Sequence, residues 1–112
     1  MPEMSSNMVN FAELTDNGKV RNLSGKERGI AARRQLHIDD LDNTDGVVEV
    51  VVPDYVDTIS PSYFQGLFSE SIARLNGRDG FLRKYQFQSS NQVRQWIDVG
   101  IRNATASRRP LI

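Results

Sequence analysis

The 112 residues predict a single α/β domain: a four-stranded mixed sheet with three helices mainly on one face, in the order β-β-α-β-α-β-α. Three observations carry that expectation. The run Val47–Val52, interrupted only by Glu49, reads as a central strand covered on both faces. Phe64, Leu67, Phe68, Ser71, Ile72 and Leu75 then recur at helical spacing. Strand and helix alternate again through Phe81–Ala104, which implies parallel crossovers between strands.

The elements follow in order. Residues 1–7 are expected to be a flexible lead and 107–112 a loose tail, leaving 8–106 as the folded domain. Met8–Leu14 alternates apolar and polar side chains and reads as a first strand. Thr15-Asp16-Asn17-Gly18 is a turn, because Asn-Gly tolerates the positive φ that tight turns need. Lys19–Leu23 would return as a second strand and close a hairpin. Ser24 with Glu27 three residues on has the form of a capping box, so a helix is expected from Gly25 to about 39–42. The aspartates at 39, 40, 42 and 45 carry the wrong sign for the end of that helix, which points to an exposed loop.

Pro53 lacks an N–H for the ladder and closes the valine strand. Ser60 is the expected N-cap of the second helix, with Pro61 in its first helical position and Asn76-Gly77 as its stop. Phe81–Gln88 is read as the last strand, with Phe81, Arg83, Tyr85 and Phe87 on one face. Ser89-Ser90 caps the third helix, whose stripe is Val93, Trp96, Ile97, Gly100, Ile101 and Ala104.

Composition narrows the chemistry. The chain has no cysteine, which excludes disulfides, thiolate nucleophiles and zinc–thiolate sites. Its single histidine, His37, excludes a multi-histidine metal centre within one chain. No segment approaches the roughly 20 apolar residues that span a bilayer, and the first residues have no signal-peptide pattern, so no membrane role and a cytoplasmic location are expected. Charge balances over the whole but not along it. Residues 1–57 hold 6 basic and 11 acidic side chains, a net of −5, and the remainder hold 8 and 3, a net of +5. That split is compatible with self-association or with a charged protein partner. Neutral overall charge without an accompanying motif gives no reason to expect nucleic acid.

Candidate site residues gather where the valine strand turns into the second helix. Ser60 and Ser62 bring two hydroxyls to a helix start whose backbone N–H groups favour anions. Asp57 and Asp54 flank the same turn, beyond a strand end where ligands collect in open α/β sheets. A nucleophile, a base and a charge stabiliser do not assemble from these residues, so no enzyme, no cofactor and no metal is expected. Arg28 and Arg33, on the first helix, are the candidate anion contacts, with the aspartates at 39–45 as competing partners. Tyr55, Tyr63 and Tyr85 are candidates for an exposed interface, Trp96 for the core, and His37 for the surface.

Two motifs together resemble a known family. Arg28-Gly29-x-x-Ala32-Arg33 on the first helix is followed by the valine strand and by Val56-Asp57-Thr58-Ile59-Ser60-Pro61-Ser62-Tyr63-Phe64-x-x-Leu67-Phe68. Over about residues 24–104 this resembles the STAS-like domains of unknown function, relatives of the anti-anti-sigma factor STAS domains. The resemblance implies a STAS-like fold and a non-enzymatic cytoplasmic module for regulation and protein–protein interaction, often associated with a histidine-kinase-like ATPase. In STAS domains the equivalent corner reads Asp-Ser-Ser-Gly and its serine is phosphorylated. Here Ser60 takes the place of the aspartate, Pro61 of the first serine, Ser62 of the second and Tyr63 of the glycine. The resemblance therefore makes Ser62 the phosphorylation candidate and Asp57, Ser60, Ser62 and Tyr63 the interaction corner. Two other readings stay open: a small-ligand or nucleotide-binding domain using the same helix start, and a phage or mobile-element protein that inhibits a host complex.

Overall fold

The computed structural model describes residues 7–107. Strands β1 (Asn7–Asn10), β3 (Val48–Val51) and β5 (Tyr85–Gln88) form a parallel sheet in the order β1-β3-β5. A separate parallel pair joins β2 (Asn22–Leu23) to β4 (Thr58–Ile59). The helices are α1 (Lys26–Gln35), α2 (Ile38–Asp42), α3 (Pro61–Arg74), α4 (Arg78–Lys84) and α5 (Asn91–Ser107). The α/β class holds. The single four-stranded mixed sheet with three helices is replaced by two small parallel sheets and five helices among the described residues. The expected loose ends at 1–6 and 108–112 lie outside the described residues, while Asn7 already pairs in β1 and Ser107 ends α5.

The expected hairpin does not form, for reasons local to each strand. β1 stops at Asn10, whose side-chain oxygen accepts a hydrogen bond from Ala12 N at 2.9 Å and caps a 3-10 turn over Phe11–Leu14. Asp16, Asn17 and Gly18 all take positive φ, which carries the chain away from β1 instead of back along it. Leu23 then pairs with Ile59. Register sets which face of the main sheet is covered. Val9, Val50 and Phe87 share one row, Val48 and Tyr85 a second, and all five are buried. On the other face Met8, Gln86 and Gln88 are exposed and Glu49 and Val51 are half-buried, so the valine strand is fully covered on one face only.

Two further departures concern helices. The expected capping box at Ser24 is absent: Gly25 is the N-cap, at φ +94°, with no side-chain hydrogen bond to the first turn. The first helix also breaks. His37 adopts the left-handed conformation at φ +57° and restarts the chain as α2. The aspartates that opposed the dipole at the end of one long helix now include Asp39 and Asp40 in the first turn of a new one, where the sign is favourable. Residues 81–84, expected to open the last strand, are helical instead, the end of α4, with Asp79 in its first turn and Arg83 and Lys84 in its last. Only Tyr85–Gln88 pairs as a strand.

The helices α1, α3 and α5 pack in that order, with α3 between the other two. Gly29 of α1 and Gly66 of α3 let the backbones touch: a Cβ on Gly29 would collide with the Tyr63 carbonyl, and one on Gly66 with the Lys26 carbonyl. Gly100 of α5 seats the ring of Phe64, which a Cβ would strike at 2.5 Å. The inner faces close on Phe64, Phe68, Phe81, Tyr85 and Phe87, whose neighbouring ring centroids lie 5.2–6.4 Å apart. Both predicted helical stripes face this core, with Leu75 and Trp96 at its margin.

Candidate functional site

The corner between β4 and α3 is built from backbone pairing outward. Ser60 N donates to Leu23 O at 2.8 Å and Asp57 N to Arg21 O at 2.7 Å, so β2 holds the approach to the helix. Ser60 is extended at φ −65°, ψ 152°, and its Oγ accepts from Tyr63 N at 3.2 Å, the expected cap. Pro61 follows in the first helical position, where its missing N–H costs nothing. The Ser62 hydroxyl is exposed and lies 3.2 Å from the Ser60 hydroxyl. Ser60, Ser62 and Tyr63 are thus together. The Asp57 carboxylate is drawn to Arg21 at 3.3 Å, and the Asp57 carbonyl accepts from Gln92 Nε2 at 3.1 Å.

Tyr63 is buried, only 4% exposed, because the α1–α3 contact covers it. It is therefore not an exposed interface tyrosine. Burial pushes its phenol up to about 12, while the nearby Arg28 guanidinium acts in the opposite sense. Its hydroxyl has no hydrogen-bond partner among the described residues. Tyr63 and Arg28 both line a cleft of about 410 Å³ between α1, the 3-10 turn and β2. Leu14, Val20, Leu23, Ala31 and Ala32 supply its apolar lining. Asn22, from β2, and Ser24, just after it, line the cleft as well, together with Glu13, Asp16 and Gln35. A volume of this size lies within the range of small-molecule sites.

The two candidate arginines part company. Arg28 is exposed at the cleft and makes no hydrogen bond or ion pair among the described residues. Arg33, five residues on, turns inward and is 6% exposed. Its Nη1 donates to Leu67 O at 2.8 Å and Ser71 Oγ at 2.9 Å, and its Nη2 to Asp39 Oδ1 at 2.6 Å and Asp42 Oδ2 at 2.8 Å. Asp42 also accepts from Ser71 Oγ at 2.9 Å and from the Tyr85 hydroxyl at 2.6 Å. Burial works against the charge on Arg33, but its hydrogen bonds to Asp39 and Asp42 outweigh it and the pKa is raised. The Tyr85 phenol is raised as well, first by burial and then by its hydrogen bond to Asp42. Arg33 is thus a structural clamp with all its local partners supplied, not an anion contact. Tyr85, likewise, is core and not interface.

The clamp was only half visible in the sequence. Arginine near the aspartates was a readable pairing. Ser71, a hydroxyl on an otherwise apolar helical stripe, was the stronger signal, since a buried polar group demands a partner. The remaining candidates are placed without a shared site. Tyr55 is half-buried with its hydroxyl 2.8 Å from Thr15 Oγ1, His37 is exposed at the α1–α2 break, and Asp54 is exposed. Among the described residues no group of three or more acidic, histidine or cysteine side chains is placed to hold a metal ion. Among the same residues no helix is long and apolar enough to cross a membrane. Comparison with protein-family models, with curated proteins and with solved structures finds no match.

Proposed function

We propose that this chain is a regulatory protein-interaction module of the STAS-like kind, without catalysis of its own, which docks a partner protein through the start of α3. The observation that carries the reading is the corner itself. Ser62 stands exposed beside the N-cap Ser60, on a helix start anchored from three sides by β2, α1 and α5. A rigid exposed element of this kind presents the same surface at every encounter, which lowers the ordering cost of binding. The family resemblance supplies the partner class, a cytoplasmic histidine-kinase-like ATPase, and the switch. A phosphate on Ser62 would lie in the first turn of α3, over the positive end of the helix dipole.

Affinity capture with the full chain tests this. A partner recovered by the wild type and by Ser62→Ala, but lost with Ser62→Glu, is the expected result, because the glutamate imitates the phosphate charge. Equal recovery by all three removes the corner as the docking site. Incubation with ATP and the captured partner should label the wild type and not Ser62→Ala. Label that persists in that variant removes the switch from Ser62.

A further inference from the structure

The cleft beside the corner has a polarity of its own, and its order can be read along α1. Arg28, Ala31, Ala32 and Gln35 fall at i, i+3, i+4 and i+7, one stripe on the helix. Gln35 Nε2 donates to the Glu13 carbonyl at 3.1 Å, which fixes Glu13 at the far end of that stripe from Arg28. Seven residues of helix separate the two ends by about 10 Å. At the Arg28 end the unspent groups are donors. The Arg28 guanidinium and the Ser24 hydroxyl have no hydrogen-bond partner among the described residues, and the Tyr63 hydroxyl, in a side chain more than nine-tenths buried, has none either. A buried hydroxyl left unpaired is unfavourable, so a ligand acceptor there is favoured. At the Glu13 end the charges are acidic, Glu13 and Asp16. Alanine methyl groups and Leu23 line the middle.

From this we infer that the cleft binds an extended peptide segment of a partner protein, about three residues long, with an acidic side chain at the Arg28–Tyr63 end and a basic one at the Glu13–Asp16 end. The length follows from the cleft, since an extended chain advances about 3.3 Å per residue. Small aliphatic side chains between the two charges would meet the apolar lining. The inference rests on the proposed role as a protein-interaction module and names the chemistry of what that module recognises.

Panning a displayed library of random short peptides on the intact chain tests it. Peptides with an acidic and a basic residue separated by one or two small aliphatic residues should be enriched. Arg28→Glu, at an exposed position, should exchange the acidic preference for a basic one. Tyr63→Phe retains the ring and should weaken a selected peptide about tenfold, the loss of one hydrogen bond to a charged group. No enrichment on the wild type, or the same peptides selected by Arg28→Glu, overturns the inference. Partner capture that responds to Ser62→Glu while no peptide is selected would retain the corner and discard the cleft. Peptides that respond to Arg28→Glu without any such capture would do the reverse.

Discussion

Arg33 Nη2 lies 2.8 Å from Asp42 Oδ2, and the side chains are 7% and 0% exposed. A pair this buried is weak evidence of net stability, because both ions give up hydration. Removing one partner is a different matter, since it strands the other charge in the interior. Arg33→Ala and Asp42→Ala are each expected to destabilise the chain by about 3–5 kcal/mol, with the double variant costing much less than the sum. Urea unfolding of the four proteins of that cycle checks it. Additive losses would show that the two residues act separately.

Alkaline pH should loosen the fold through the buried tyrosines. The ordinary tyrosine pKa is 10.0, and in the folded chain Tyr63 is pushed up to about 12 and Tyr85 is raised as well. The unfolded chain therefore releases these protons first. Their stabilising contribution is complete below pH 10 and falls as pH rises toward the folded values, by up to about 1.4 kcal/mol per pH unit for each tyrosine. Unfolding midpoints measured from neutral pH to pH 12 should decline from about pH 10 upward. Tyr63→Phe should flatten that decline, and an unchanged slope would remove Tyr63 as a source.

The glycine contacts allow a sharper steric test. Gly66→Ala directs a methyl at the Lys26 carbonyl, backbone that cannot swing aside, so α1 and α3 must separate. A loss of at least about 1–3 kcal/mol is expected, as for overpacking generally. Gly46→Ala is the useful contrast, since its Cβ would meet nothing but its φ of +93° carries strain. The first variant should also weaken binding at the corner, whereas the second should change stability alone.

Ser60 and Ser62 should separate cleanly in stability measurements. Ser60→Ala removes the acceptor for Tyr63 N and should cost about 1 kcal/mol. Ser62→Ala, at an exposed position, should stay within about 0.5 kcal/mol of the wild type. Thermal unfolding read by circular dichroism is sufficient. A large effect at Ser62 would mean that its hydroxyl is structural.

Much of this architecture was legible because it rests on local periodicity. The stripes from Phe64 to Leu75 and from Val93 to Ala104, the Ser60-Pro61 helix start and the Asn76-Gly77 stop are all properties of a few adjacent residues. What escaped depends on partners distant in the chain. Val47–Val52 gives its apolar content to any reader, but only the register with β1 and β5 reveals that one face stays partly open. His37 breaks the helix through a left-handed backbone, which histidine adopts more readily than most side chains but which no turn motif around it marks. The candidate site divided along the same line. Ser60 and Ser62 are neighbours in sequence and in space, while the separation of Arg28 from Arg33 is a matter of which helix face meets α3.

The Arg33 network also bears on when the chain can become a protein at all. Its hydrogen bonds join residues 38 positions apart in the case of Arg33 and Ser71, and 43 apart for Asp42 and Tyr85. Until Tyr85 has arrived, the carboxylate at 42 lacks one of its donors, on Oδ1, and water must serve there. The clamp that ties the first helix to the core is thus completed only by segments that leave the ribosome after it. Such distant closure slows folding, and a single domain of this size is expected to fold as one all-or-none unit.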